Sequence, residues 1–143
     1  GGMLSYHADM DAQPNPFELG LDRLVDLDMP TDFIGKDALK QVQERGISRQ
    51  QIGLEIDGEP LSVPNTEFWP IEIDGEVIGK VTSAVYSPRL KKNIALAMVA
   101  SAYSTLGATC HVQLPGVTRS GKIVPKPFYD PKKQITAGST VAA

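Results

Sequence analysis

IEIDGEVIGKV, residues 71–81, is the stretch that decides the fold. Strand-forming residues stand on both sides of a central Asp74-Gly75 pair. Two such runs joined by Asp-Gly are a strong signal for a β-hairpin, because Asp and Gly both tolerate the positive φ angles of a tight turn. Residues 71–81 therefore predict an antiparallel unit with which further strands can pair.

Further strands are predicted on both sides of this hairpin, separated by turn residues rather than by helices. Residues 51–56 alternate, with Ile52, Leu54 and Ile56 on one face. The other strand-like runs are 93–99, 109–114 and 121–124. At least six short strands without a helix between them predict a closed antiparallel barrel or jelly roll. We place this all-β domain at residues 49–130.

The first third of the chain has a different pattern. Residues 21–27 mix apolar and charged side chains and predict a strand. A helix should follow, ending at Gly46, with an apolar face and a charged face. The apolar face is formed by Ile34, Ala38, Leu39 and Val42, and the charged face by Lys36, Lys40 and Glu44. One strand and one helix are too few for a core, so residues 1–48 predict an incomplete α+β piece. Residues 131–143 predict a flexible tail.

Composition argues against several classes of protein. The chain has 14 Lys and Arg against 17 Asp and Glu, so a clustered basic face for nucleic acid is not expected. No apolar run approaches the roughly 20 residues of a membrane-spanning helix. The one cysteine, Cys110, lies in an apolar run and predicts a buried, inert thiol. Together these observations predict a cytoplasmic protein without a nucleic-acid or membrane partner.

Residues 81–95 carry a resemblance to a known family. They read VTSAVYSPRLKKNIA and resemble the signature V-T-S-x-x-x-S-P-x-L-x-x-N-I-A of the tetrahydrofolate-dependent aminomethyltransferases, the glycine-cleavage T-protein family. Shorter matches occur in the family's order. These are 1–9 to E-A-G-L-x-L-Y-G-N-D after its glutamate, 15–18 to T-P-x-E, 33–39 to F-I-G-K-x-A-L and 126–128 to P-F. The resemblance implies one-carbon transfer from a small methyl or aminomethyl donor, with tetrahydrofolate as cofactor.

The resemblance also implies a place in a larger fold. Residues 49–130 correspond to the family's last domain, a barrel or jelly roll, and residues 1–48 to the remainder of its central, ferredoxin-like domain. The family's catalytic aspartate, pterin-binding glutamate and folate-binding arginine precede the matched region. We therefore expect this chain to be a fragment, inactive alone, whose partner is the upstream part of the same polypeptide. No catalytic residue and no metal site is predicted within it.

Two departures from the pattern indicate a branch of the family. The family's Y-G-N-D reads YHAD at residues 6–9, and the closing segment reads PFYDP at residues 127–131. Both look more like the demethylase branch, which moves a methyl group from sulfur or an aryl ether oxygen to tetrahydrofolate. The motif K-G-C-Y-x-G-Q-E of the iron–sulfur-assembly branch is absent from the sequence, so we set that branch aside.

The candidate site residues follow from the resemblance. Tyr6 and His7 fall where the family's cavity wall lies, which implies cofactor contact for Tyr6 and substrate contact for His7. Tyr129 is similar to an aromatic residue that closes over the pterin.

A small basic cluster lies inside the signature. By default Arg89, Lys91 and Lys92 are interpreted as a solvated face. The alternative is that they attract the folate's glutamyl carboxylates, and Arg89 and Lys91 are the candidate residues for this contact. Thr82, Ser83 and Asn93 are interpreted as structural, because such residues commonly satisfy nearby backbone groups. The alternative for the whole chain is a non-enzymatic β-barrel that binds a ligand or a partner.

Overall fold

A closed antiparallel barrel of six strands forms the centre of the computed structural model, in the order β1-β4-β3-β2-β5-β6. The model describes residues 3–132 and 134. The strands are β1 Arg49–Ile56, β2 Trp69–Ile73, β3 Glu76–Ser87, β4 Lys92–Ala100, β5 Thr109–Leu114 and β6 Val117–Val124. The predicted mainly β fold with an antiparallel barrel is confirmed. The predicted tail at 131–143 lies for the most part outside the described residues.

The hairpin of β2 and β3 has the predicted turn. Asp74 and Gly75 both have positive φ, at 51° and 81°, and Ile73 pairs directly with Glu76. Left-handed backbone at both central positions matches the twist of the flanking strands. The Asp-Gly pair therefore fixes the register from which the rest of the barrel continues.

The core lies inside the barrel and is almost entirely aliphatic. Ile52, Leu54 and Ile56 of β1 are all buried, as their alternation predicts. Each fully buried aliphatic side chain contributes about 1.5–3 kcal/mol relative to exposure. Cys110 belongs to the same core, and burial raises the pKa of its thiol to about 11. The prediction that this thiol is buried is confirmed.

Strand β3 contains a β-bulge at Thr82. Val81 pairs with Ala97 and Ser83 pairs with Leu96, so Thr82 is the additional residue between two consecutive partners on β4. Such a bulge bends the strand locally and changes the direction of its side chains. The bulge lies within the family signature, at its second residue.

The predicted strand at 21–27 is wrong. Asp22–Leu24 form a single 3-10 turn. The Asp26 carboxylate accepts hydrogen bonds from the backbone N–H groups of Asp28 and Met29, both at 3.0 Å. Short side chains that bond nearby backbone compete with a strand ladder, which explains why this segment turns.

Helix α1, Lys36–Arg45, is confirmed, but its faces differ from the prediction. Val42 is buried, whereas Ile34 precedes the helix and is fully exposed. Lys36 belongs to the predicted charged face, yet it is buried. Its amine donates to the carbonyls of Met29 and Thr31, at 2.5 Å and 3.3 Å. In the described part of the chain no helix is long and apolar enough to cross a membrane.

Candidate functional site

A cleft of two lobes lies between residues 3–9 and the barrel. The first lobe, about 360 Å³, is lined by residues of β3 and β4 and also by Met3, Pro64 and Phe128. The second lobe, about 340 Å³, is lined by aromatic and polar side chains. These are Tyr6, His7, Thr66, Glu67 and Phe68. Both lobes share Ala8, Asn65 and Thr82, so we treat them as one site, the β3 cleft.

A hydrogen bond between Thr82 and Asp9 joins the two sides of this cleft. Thr82 Oγ1 lies 2.6 Å from Asp9 Oδ1, and the Ser5 N–H donates to Asp9 Oδ2 at 2.9 Å. Asp9 is 4% exposed and Thr82 is 6% exposed. A single buried carboxyl group thus bonds the barrel with one oxygen and the turn at residues 5–9 with the other.

A second buried connection involves Gln51 and Lys126. The Gln51 amide donates to the Asp9 carbonyl at 3.0 Å, and its oxygen accepts from the Lys126 amine at 2.6 Å. The same amine donates to the Leu19 carbonyl at 2.9 Å. Burial lowers the pKa of Lys126 to about 8, an effect that the negative charges of Asp9 and Asp22 partly oppose. Residues 9–19, β1 and the segment after β6 are therefore held together by polar groups.

Tyr6 and His7 lie together in the second lobe. Their ring centroids are 4.4 Å apart in an edge-on arrangement, and Tyr6 is 60% exposed. His7 has a φ of 73°, and its N–H donates to the Met10 carbonyl at 2.7 Å. The structure thus brings both predicted wall residues to the cleft, where their rings are accessible to a ligand.

Arg89 and Tyr129 are also brought together. The Arg89 guanidinium carbon lies 4.5 Å from the centre of the Tyr129 ring, a cation–π contact. Tyr129 directly follows Phe128, which lines the first lobe. Lys91, with a φ of 52°, lies exposed in the turn between β3 and β4.

Within the three-residue basic cluster, Lys92 forms an ion pair with the neighbouring strand β1. The Lys92 amine lies 2.5 Å from Glu55 Oε2 on β1. Glu55 pairs with Ile94, and a diagonal neighbour in an antiparallel sheet is within reach of a long side chain. Lys92 therefore already has an anionic neighbour, and Arg89 and Lys91 remain the predicted candidates for an anionic ligand.

Asn93 is structural, as expected. Its side chain is 2% exposed. Its Nδ2 donates to the carbonyls of Ile56 and Glu59, and its Oδ1 accepts from the Leu61 N–H at 2.9 Å. It fixes the loop that follows β1.

Sequence reasoning missed Asn65, Gln51 and Lys126. Asn65 Nδ2 donates to the Thr82 carbonyl at 3.2 Å, and its Oδ1 accepts from the Ala84 N–H at 2.6 Å. The signal available for Gln51 was an uncharged polar residue next to the apolar stretch of β1. No local signal existed for Lys126, because its partners are distant in sequence.

The fold and the cleft together define a β-barrel domain that encloses a cleft with the chain preceding it. A family model described as the glycine cleavage T-protein C-terminal barrel domain matches residues 49–130. The chain belongs to this family.

Curated relatives extend the similarity to most of the chain. The aminomethyltransferase of Parasynechococcus marenigrum (strain WH8102) is 40% identical over 124 residues, which is 87% of this chain and 33% of that protein. The aminomethyltransferase of Symbiobacterium thermophilum is 40% identical over the same share of this chain and 32% of its own length. The chain thus spans about a third of the length of these relatives.

A solved structure supports the fold. The glycine cleavage system aminomethyltransferase T from Bartonella henselae superposes with a TM-score of 0.80 over 90% of this chain and 36% of that protein. The two sequences are 22% identical over this match. The two proteins therefore share the fold of the barrel and of the residues before it despite their low sequence identity.

Proposed function

We propose that this chain is the C-terminal part of a tetrahydrofolate-dependent transferase that moves a one-carbon group from a small donor to tetrahydrofolate. The curated relatives carry the name aminomethyltransferase and align with 87% of the chain. The observation that carries the proposal is the contact between Arg89 and Tyr129. It joins Tyr129, for which the resemblance implies contact with the pterin, to Arg89, a candidate for attraction of the folate's carboxylates.

The chemistry of these residues suits a folate. The cofactor combines aromatic rings with carboxylates, and it supplies the nitrogen that accepts the one-carbon group. Tyr6 and Tyr129 offer ring surfaces for stacking, while Arg89 and Lys91 offer positive charge to carboxylates at an exposed position. His7 is proposed to contact the donor. In this proposal the chain binds and orients the reactants. Orientation alone lowers the activation barrier, so the chain contributes to the reaction without supplying a catalytic group.

The proposed partner is the upstream part of the same polypeptide. The relatives are about three times as long as this chain. Large apolar side chains stay exposed on the segment before the barrel, and they are Leu24, Met29, Phe33 and Ile34. We propose that the remaining polypeptide covers these side chains and supplies the catalytic groups, so that the 143-residue chain is inactive alone. We also propose a location in the cytoplasm.

A finer proposal concerns the donor. His7 and Ala8 stand where the family pattern has Gly and Asn, and both line the second lobe. A histidine ring there reshapes the wall beside the bound one-carbon group. We propose a methyl donor of the sulfonium or aryl methyl ether class, as in the demethylase branch.

Calorimetric titration of the full gene product with tetrahydrofolate tests the proposed function. Saturable binding is expected, and the 143-residue chain should bind more weakly. Absence of binding to the full gene product would favour the alternative, a non-enzymatic barrel module. Product analysis with a sulfonium, an aryl methyl ether and an aminomethyl donor then identifies the donor class. Transfer from the aminomethyl donor alone would overturn the demethylase proposal.

A further inference from the structure

We propose that Thr82 is a positioning residue for the β3 cleft. The β-bulge directs its hydroxyl onto Asp9, and this bond holds the turn that carries Tyr6 and His7 in place for the folate. The inference rests on the proposed function, since it assigns a role within the same site.

The first step of the argument is the direction of the side chains along β3. Val81 and Ala84 both belong to the barrel core, at 0% and 3% exposure. Residues three apart in a regular strand point to opposite faces, so both can enter the core only because the bulge intervenes. The bulge thus leaves the Thr82 side chain outside the core, next to residues 3–9.

The backbone of the bulge is held by Asn65. Its side-chain amide bonds the Thr82 carbonyl and the Ala84 N–H. These two backbone groups are therefore satisfied without the Thr82 hydroxyl. It lies 2.6 Å from Asp9 Oδ1 and 3.1 Å from the Leu96 carbonyl. A hydroxyl has one proton, and the shorter distance favours donation to Asp9.

Two hydrogen bonds between Asp9 and Ser5 close the turn. Asp9 Oδ2 accepts from the Ser5 N–H, and the Asp9 N–H donates to the Ser5 carbonyl at 2.9 Å. Tyr6, His7 and Ala8 lie between these two residues and line the second lobe. His7 holds a left-handed backbone, which a non-glycine residue keeps only when its surroundings enforce it. Loss of the Thr82 bond should therefore loosen the part of the wall that faces the ligand.

The first experiment measures the turn itself in the 143-residue chain. Hydrogen exchange is followed at the amides of Ser5, His7 and Asp9 in Thr82→Val, Thr82→Ser and the control Thr118→Val, an exposed threonine on β6. Thr82→Val should speed exchange about tenfold, the effect of losing one buried hydrogen bond. Thr82→Ser and Thr118→Val should exchange as the wild type does. Unchanged exchange in Thr82→Val would overturn the inference.

The second experiment measures tetrahydrofolate affinity in the full gene product with Thr82→Val, Thr82→Ser, Asp9→Ala and the Thr82→Val/Asp9→Ala double variant. Thr82→Val should weaken binding about tenfold, with rescue by serine. Asp9→Ala removes both carboxylate bonds, to Thr82 and to Ser5. The double variant should therefore be no weaker than Asp9→Ala alone, because the Thr82 bond is already lost in that variant. Additive losses would mean that Thr82 contacts the ligand directly, which overturns the inference. If Thr82→Val does not fold, Asp9→Ala is used in both measurements. A wild type that does not bind tetrahydrofolate defeats the proposed function, and the exchange experiment still reports on the turn.

Discussion

At the scale of single residues, His7 shows how the chain departs from its family pattern. Its φ of 73° suits the glycine that the family pattern carries at this place. We expect His7→Gly to raise the free energy of unfolding by up to about 1 kcal/mol, because glycine adopts this backbone without strain. The edge contact with Tyr6 offsets little of this, since that ring is mostly exposed.

Urea denaturation of the 143-residue chain measures the effect, with His111→Gly as the matched control. His111 is an exposed residue of β5, where glycine should lower the free energy of unfolding by roughly 0.5–1 kcal/mol. Equal losses in both variants would show that the left-handed backbone at His7 carries no strain.

Lys126 gives the stability of the chain a dependence on pH. Its pKa is about 8 in the folded chain against an ordinary 10.5, so between these values the unfolded chain binds more protons. Stability contributed by this group should therefore rise with pH across that window and stay constant below it. Replacing the amine in Lys126→Met should remove the rise.

The measurement is the difference in free energy of unfolding between wild type and Lys126→Met from pH 7 to pH 10. The same difference for Lys122→Met, an exposed lysine of β6, corrects for general effects of charge. A difference between wild type and Lys126→Met that falls with rising pH would contradict the burial of the Lys126 amine.

At the scale of elements, the contact of β3 with β4 depends on Gly79. A Cβ on Gly79 would overlap the Met98 carbonyl oxygen and lie 2.7 Å from the Val99 Cα. These backbone atoms of β4 cannot move away without breaking the β3–β4 hydrogen bonds. Gly79→Ala should therefore destabilise the chain by about 2–3 kcal/mol.

Gly121→Ala is the matched control in the same barrel. Its Cβ would meet the side chains of Cys110 and Val112 at 3.2 Å and 3.3 Å, and side chains can shift. Thermal unfolding of both variants should show the smaller loss, below about 1.5 kcal/mol, for Gly121→Ala. The reverse order would mean that β4 can move away from β3.

The turn between β3 and β4 provides the test of electrostatic attraction. In the full gene product, Arg89→Gln with Lys91→Gln should weaken polyglutamylated tetrahydrofolate by about tenfold or less, because exposed charge contacts are individually weak. The loss should be greater at low salt than at high salt. Isothermal titration at two salt concentrations measures it.

The monoglutamylated ligand and the variant Lys122→Gln serve as controls for this turn. The double variant should lose less affinity for the monoglutamylated ligand, which lacks the extra carboxylates. Lys122→Gln should lose less affinity for the polyglutamylated ligand, because its turn between β3 and β4 is unaltered. Unchanged affinity for both ligands in the double variant would mean that the turn is only a solvated surface. Equal, salt-independent losses would mean that the barrel is damaged.

At the scale of the whole molecule, the local parts of the fold were predictable and the distant contacts were not. The Asp74-Gly75 hairpin and the alternation of β1 are short-range patterns. Sequence alone could not show that β1 pairs with both β4 and β6, nor that Arg89 meets Tyr129. The general rule that charged residues face solvent failed at Lys36, whose amine reaches two backbone carbonyls.

The division of the chain at residue 49 predicts uneven stability. Only Lys36 and Val42 of α1 are buried, whereas every strand pairs with two neighbours in the closed barrel. Amides of α1 should therefore exchange with solvent faster than those of β1 and β4, by local opening. Hydrogen exchange of the 143-residue chain, read by mass spectrometry, tests this. Equal protection would contradict the boundary.

The pairing of β1 with β6 has a consequence for how such a barrel can be inherited. Val124, the last residue of β6, lies opposite Gly53 of β1, so the chain enters and leaves the barrel on neighbouring strands. A barrel whose first and last strands are neighbours can be appended to another polypeptide without disturbing its own strand pairing. We expect such a barrel to be transferable between proteins by recombination, with the segment that precedes it shaping the cleft.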